Sequence, residues 1–321
     1  MRTRRSVSSS DPVLGKPSFA KASEAKHRPV LLHEAIEFLA LKSDDTLVDA
    51  TLGGAGHALA SIGKLGERGK FVGFDLDSDA IERAKEVLKD AAPEVHLIES
   101  NFRVLARELS KLEISQVDKV LFDLGWSSYQ LDAERGFSFQ KNGPLTMTYS
   151  NPLVGGAKLT ASRIVNEWAE ESLADVIFGW GEERYSRRIA RAIVESRAKK
   201  PFTTTKELAD VIYAAVPPRY RHGRIHPATR TFQALRIAVN DELGALQEGL
   251  ADAWKVLSKD GRIAVITFHS IEDRLVKQAF KRWEDSGEGK RITKKPLTPS
   301  AEEVRDNPRS RSAKLRVIQK F

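Results

Sequence analysis

Apolar and polar positions along the chain fall into two regimes. From Leu32 to Asp123, apolar runs of strand length alternate with segments of helical period. Leu32, Ala35, Ile36 and Leu39 mark one helix face, and strands are expected at Thr46 to Ala50, Lys70 to Asp75, Val95 to Glu99 and Lys119 to Asp123. Helices are expected between them, over Gly56 to Leu65, Asp79 to Lys89 and Asn101 to Leu112. Such alternation specifies an α/β unit: a mostly parallel sheet, helices on both faces, right-handed crossovers.

After Asp123 the rhythm stops. Leu124 to Gly156 is rich in Gly, Ser, Asn and Pro and reads as one long ordered loop, a length usually kept for function. Helical periods then follow without strands: Ala161 to Trp168, Glu171 to Trp180, Glu182 to Lys199 and Thr205 to Val216. Thr204 or Thr205 with Glu207 has capping-box spacing, and Pro217-Pro218 stops that helix. A long helical pattern from Pro227 to Leu257 leads back to an apolar strand, Arg262 to His269. The segment Ser286 to Asp306 is expected to be mobile, and Lys314 to Ile318 to form a last, edge strand. These signals divide the chain into an α/β core (27–135 and 227–321) with an inserted, mostly helical domain (136–226). Residues 1–26, rich in Ser, Lys, Arg and Pro, read as a disordered basic arm.

Composition narrows the setting. There are no cysteines, so disulfides and thiolate metal sites are excluded, as fits a cytosolic protein. No apolar run approaches the roughly 20 residues that span a bilayer, and no secretory signal is visible. The net charge of +8 suggests a polyanionic partner. Its distribution is uneven: between Arg184 and Arg236, 13 Lys/Arg stand against Glu195, Glu207 and Asp210, a net of +10. Arg187, Arg188, Arg191, Arg219, Arg221, Arg224 and Arg230 in this block are candidates for RNA phosphates, although a charge run is most often a solvated helix face. His226 and Arg230 could instead bond the following helix to the core.

Candidate chemistry gathers at the carboxyl ends of the first four strands. The first breaks into Gly53-Gly54-Ala55-Gly56-His57, where small residues let a ligand approach main-chain N–H groups ahead of a helix. The second ends in Asp75, 19 residues beyond Gly56, placed to take ribose hydroxyls. The glycine order lacks G-x-G-x-x-G, which disfavours a nicotinamide dinucleotide and is closer to the looser loop of S-adenosylmethionine (AdoMet) methyltransferases. Phe102 (or Asn101) would then lie beside the adenine, and Asp123 near the reacting methyl group.

The motifs are specific enough to name a family. His27-Arg-Pro-Val-Leu-Leu-His-Glu34, Asp123-Leu-Gly125, Gln130-Leu-Asp132, Glu134-Arg-Gly-Phe-Ser-Phe139, Gly181-Glu-Glu-Arg184, His226-Pro-Ala-Thr-Arg-Thr-Phe-Gln-Ala-Leu-Arg-Ile237, Phe268-His-Ser-Ile-Glu-Asp-Arg274 and Asn307-Pro-Arg-Ser-Arg-Ser312 together closely resemble the RsmH (MraW) family, from about His27 to Lys320. That family comprises ribosomal small-subunit RNA (cytosine-N4)-methyltransferases. The resemblance implies a Rossmann-like AdoMet-dependent core, AdoMet as donor, and a cytidine in the decoding region of 16S rRNA as acceptor, on naked RNA or an assembled small subunit. It carries the donor contacts onto Ala55, Gly56, His57, Asp75, Phe102, Asp123 and Gln130, beside Gly53 and Gly54 of the loop. Ala55 stands where the family usually has a second glycine, and Gly143-Pro-Leu-Thr-Met-Thr-Tyr-Ser150 lacks two acids and an arginine of the usual pattern.

The exocyclic N4 of cytosine is a weak nucleophile because its lone pair is delocalised into the ring. An acceptor on the amino hydrogens would localise it, and Asp123 is the expected acceptor. Asp123-Leu-Gly-Trp126 has the polar-x-x-aromatic shape of amino methyltransferases, so Trp126, or failing that Tyr129, is expected to stack on an extruded base. No metal is required. A different class of reading is an RNA-binding or ribosome-assembly factor that keeps the fold without the activity. The oligomeric state stays open, a homodimer included.

Overall fold

The computed structural model describes residues 28–125, 135–149 and 159–321. The basic arm, Trp126, Tyr129 and Gln130 lie outside them. Its centre is a seven-stranded sheet of order β3-β2-β1-β4-β5-β7-β6. The strands are β1 (Thr46–Asp49), β2 (Lys70–Asp75), β3 (Glu94–Glu99), β4 (Val117–Asp123), β5 (Leu257–Thr267), β6 (Gly289–Arg291) and β7 (Lys314–Lys320). The first five run parallel, and β7 is antiparallel to both β5 and β6.

Why both faces are covered follows from the period of two along a strand. Val48, Val72, Val120, Ile263 and Val265 point to one face and pack with α4 (Leu105–Lys111), α11 (Glu242–Val256) and α12 (Ser270–Asp285). Their neighbours Leu47, Phe71, Leu121, Ala264 and Ile266 point to the other, against α1 (Leu32–Leu39), α2 (Gly56–Ile62) and α3 (Ser78–Leu88). Between β4 and β5 come α5 (Ala161–Glu167), α6 (Glu170–Gly179), α7 (Ser186–Arg197), α8 (Thr205–Ala215), α9 (Pro218–Arg221) and α10 (Ala228–Asn240). Their apolar faces form a separate cluster with Phe137, Leu145 and Met147. The capping box of Thr204 and Glu207 is formed at the start of α8, and Pro218 opens α9. Among the described residues no helix is long and apolar enough to cross a membrane.

The structure departs from the sequence pattern in six places. The period running from Pro227 to Leu257 is two helices, α10 and α11, broken at Asp241 in the left-handed region (φ 47°), a conformation Asp tolerates through its short polar side chain. Ala228, Phe232, Leu235 and Ala238 of α10 belong to the helical cluster, so packing draws that unit's boundary after Asn240 rather than at 226. Helix α7 begins at Ser186, because Glu182 has φ 51° and the Glu183 carboxylate accepts the Tyr185 N–H. Strand β5 begins at Leu257, and its pairing with β4 shifts register between Val117 and Lys119. Residues 286–306 are ordered: the Thr293 hydroxyl accepts the Val317 N–H at 2.8 Å, Leu297 bridges to Leu315, and Ala301–Asp306 forms α13. Finally, β7 is interior, and the three-residue β6 is the edge.

Candidate active site

The carboxyl ends of β1, β2 and β4, with the turn after β3, converge on one cavity lined by Gly53, Asp75, Asn101, Phe102 and Asp123. Asp75 is held by two main-chain donors: Oδ2 accepts from Gly53 at 2.8 Å and Oδ1 from Asp77 at 2.9 Å. Each oxygen retains a lone pair for a hydroxyl donor. Burial pushes the Asp75 carboxyl up to about 6, against the pull of those two N–H groups. The Gly53 N–H, expected to face a ligand, is thus spent on fixing the acid.

The loop's backbone explains its small residues. Gly53 has φ 52° and Ala55 φ 58°. At Gly56, a Cβ would stand 2.2 Å from Pro29 Cγ. Ala55 is 2% exposed, packs with the α1–α2 side of the core and lines neither cavity, so its expected donor contact is not formed by its side chain. A methyl group in the left-handed region costs on the order of 1 kcal/mol. Ala55→Gly is therefore expected to stabilise the fold by about 1 kcal/mol, read as a higher urea midpoint at unchanged slope.

Phe102 divides its ring between core and cavity. It meets Phe122 edge-on at 5.5 Å and closes on Gly249, where a Cβ would lie 2.6 Å from the ring. Asn101 caps the 3-10 turn, its Oδ1 accepting the Arg103 N–H at 2.9 Å.

Asp123 closes the deep end. Its N–H donates to Thr51 Oγ1 at 2.6 Å, and Thr51 N–H donates to Asp49 Oδ1 at 3.1 Å. Asp123 Oδ2 stands 3.4 Å from His57 Nδ1, and buried Oδ1 has no hydrogen-bond partner among the described residues. Across the ring, His57 Nε2 lies 3.1 Å from the Val30 carbonyl oxygen, which can only accept, so Nε2 carries the hydrogen. Burial pushes Asp123 up to about 7 and Asp49 up to about 6, and it lowers His57. A carboxylate that lines the end of a cavity can accept hydrogen from an incoming amine.

One wall was not legible in the sequence. Tyr149 O–H donates to Glu242 Oε1 at 2.9 Å, Arg236 clasps both Glu242 oxygens at 2.7 Å, and the Asn240 side chain holds Tyr149 N–H and the Met147 carbonyl. Beside them, Glu272 accepts from the N–H groups of Phe268 and His269. Burial opposes the Glu272 charge, but His269, Arg236 and the Phe268 N–H hold its carboxyl below the usual range. Glu242, His269 and Glu272 offer ligand atoms within 4.8 Å of one another. The cation seated beside them is the Arg236 guanidinium. Tyr149 and Glu242 meet only because the chain breaks at Asp241, which no local signal announces.

A second, larger groove opens on the far side of Asp123, lined by Gly54, Gly56, His57, Phe139, Phe232 and Phe268 among others. Thr51, Gly53, Asp123, Leu124 and Gly125 belong to both hollows. Gly125 is needed there, since a Cβ would meet the Phe268 ring at 2.7 Å.

The basic block is less uniform than its sequence. Arg187, Arg188, Arg219 and Arg224 are exposed. Arg191 is 3.5 Å from Glu170. Arg221 donates to the carbonyls of Ala214 and Val216, closing the end of α8, and stacks on Tyr213. Arg230 donates to Tyr220 O–H, whose own hydrogen goes to Glu183. His226 is structural, its Nδ1 accepting the Ala228 N–H while its ring stacks on Phe139.

Comparison with known proteins bears on this geometry. The model of a family described as MraW methylase matches residues 24–321. The ribosomal RNA small subunit methyltransferase H of Sulfurihydrogenibium sp. (strain YO3AOP1) is 47% identical over 292 residues, covering 91% of this chain and 98% of that protein. The protein of the same name from Clostridioides difficile (strain 630) is 45% identical over 314 residues, covering 93% of this chain and all (100%) of that protein.

Proposed function

From the premise that this chain belongs to the MraW methylase family, and so is an AdoMet-dependent rRNA methyltransferase, we propose that it methylates N4 of a cytidine in the decoding region of 16S rRNA. The observation that carries the proposal is the shared wall: a cavity fit for the donor and a larger groove fit for RNA meet at Asp123. Asp75, with one free lone pair on each oxygen, suits the ribose hydroxyls, and Phe102, Ala245 and Leu246 offer an apolar slot for adenine. Bound there, the donor supplies an electrophilic methyl group on a sulfonium. The protein's share is to hold the acceptor nitrogen in line with that methyl group and to draw its lone pair out of the ring. Orientation of this kind can supply several kcal/mol. The Asp123 carboxylate accepts an amino hydrogen, and removal of water from the cavity strengthens that contact.

Trp126 and Tyr129 are proposed as the stacking platform for the extruded cytosine, Gln130 as a further donor contact, and exposed Arg187, Arg188 and Arg224 as phosphate contacts. The reaction is placed in the cytoplasm, with the small subunit as substrate. The deciding experiment incubates unmethylated small subunits, and separately naked 16S rRNA, with labelled AdoMet and digests the RNA to nucleosides. N4-methylcytidine is expected. Binding of RNA without any methylated nucleoside would instead favour a factor that only recognises the subunit.

Donor binding should also report on Asp75. A ribose hydroxyl donates well to a carboxylate and poorly to a carboxylic acid. Because burial places the Asp75 carboxyl at about 6, AdoMet affinity is expected to rise from pH 5 to pH 7 and then level off. Titration calorimetry checks this, and an affinity independent of pH would remove Asp75 from the ribose site.

A further inference from the structure

We propose that the groove takes a second nucleobase besides the one to be methylated: an unpaired neighbour in the RNA strand, stacked on Phe139. This rests on the functional reading above and adds to it a subsite for a flanking nucleotide. A column of rings leads to that point. Arg221 lies over Tyr213, with Cζ 5.0 Å from the ring centre. Tyr213 stacks on His226 at 5.8 Å with 21° between planes, and His226 on Phe139 at 4.7 Å with 26°. Phe139, half-buried, is the member of the column that lines the groove. Phe232 lines the groove too and meets Phe139 at 72°, with centroids 5.1 Å apart. Two rings at that angle form a corner, where a flat base laid along one turns its edge to the other, and aromatic groups favour both contacts.

The surroundings suit a base better than a phosphate. Ser138 and Gln140 flank Phe139 in the chain, Thr229 and Gln233 lie near Phe232 along α10, and all four are uncharged residues of the groove wall. Asp123 and Gly125 bound the same groove, so a strand that brings its target base to Asp123 enters the hollow that Phe139 lines. Extruding that base breaks the stack on both sides of it, and the corner gives one neighbour a ring to lie on. The platform is also fixed in advance. Met147 N–H donates to the Arg135 carbonyl at 2.7 Å, Gly143 N–H to Thr205 Oγ1 at 3.1 Å, and the Arg135 guanidinium to Asp77 and the Tyr149 carbonyl. A ring carried on a loop held this way has little freedom left to lose on binding. Stacking reads no base edge, so the subsite adds affinity and register rather than a choice of sequence.

A ring that only packs and a ring that stacks a base predict different results. Phe139→Leu keeps the bulk and removes the π face. Its affinity for unmethylated small subunits should fall about tenfold, with AdoMet affinity and melting temperature unchanged, and Phe139→Tyr, which keeps the ring, should bind like the parent. Because stacking neutralises no phosphate, the loss should be the same at about 50 mM and about 200 mM salt. An affinity equal to the parent's overturns the subsite. So does a loss that shrinks as salt is added, since that means a shifted wall has displaced phosphate contacts. A second measurement leaves the protein untouched. Small subunits are reconstituted on 16S rRNA in which nucleotides on either side of the methylated cytidine are made abasic one at a time. At one of these positions the parent should lose about tenfold in affinity and Phe139→Leu nothing further. If every abasic position costs the two proteins alike, no base lies on Phe139. If the parent binds subunits but transfers no methyl group, the functional reading fails instead, while the comparison of affinities still decides the subsite.

Discussion

Asp123→Ala is expected to lower methyl transfer by about a thousandfold, the range seen when a positioned proton acceptor is removed, while AdoMet affinity changes only a few-fold. The acid sits where the two hollows meet. The main-chain bond from residue 123 to Thr51 Oγ1 does not involve the side chain and survives the change. Burial has already raised the Asp123 carboxyl to about 7. Such a group stabilises the fold below its unfolded pKa and loses that contribution as pH rises through its folded one. Deleting it should therefore leave the melting temperature at pH 8 equal to the parent's or higher. Loss of rate with an intact melting curve and intact donor binding assigns Asp123 to the chemistry. Loss of all three would mean that it merely holds the cavity together.

Arg236→Ala should have the largest effect on stability, about 3–5 kcal/mol, because it strips a buried carboxylate of its partner. Arg236 is 8% exposed and bonds both Glu242 oxygens, and the same Glu242 takes the Tyr149 hydroxyl. Through Tyr149 the damage reaches the donor cavity, which that residue lines. The paired change Arg236→Met with Glu242→Leu removes both charges together and should recover most of the stability without restoring donor affinity. Denaturation curves of the three proteins, with calorimetry of AdoMet binding, test both halves. If the single and double variants were equally unstable, the ion pair would not be what holds this wall.

How far the sequence could be read depends on whether local pattern or distant contact sets each feature. Strands β1 to β4 and their helices were legible because every apolar run faces two covered sides, and Gly53, Asp75, Phe102 and Asp123 stand at strand ends by topology alone. The break at Asp241 was hidden by an apolar period that continues unchanged across it. The order of residues 286–306 was hidden too, since a polar segment looks loose until β7 supplies the partners for Thr293 and Leu297. Ala55 reads as a departure from a glycine pattern, and its φ of 58° shows why a glycine is favoured there. The opposing wall of Tyr149, Glu242 and Glu272 draws on three stretches far apart in the chain, and no local signal joins them.

Strand β7 follows the other six strands in sequence, yet it lies inside the sheet, between β5 and β6. Asp306 to Ser312, just ahead of it, contribute to the groove. A chain cut before Asp306 thus loses an interior strand of the sheet and one wall of the groove together, so sheet and groove are completed by the same stretch.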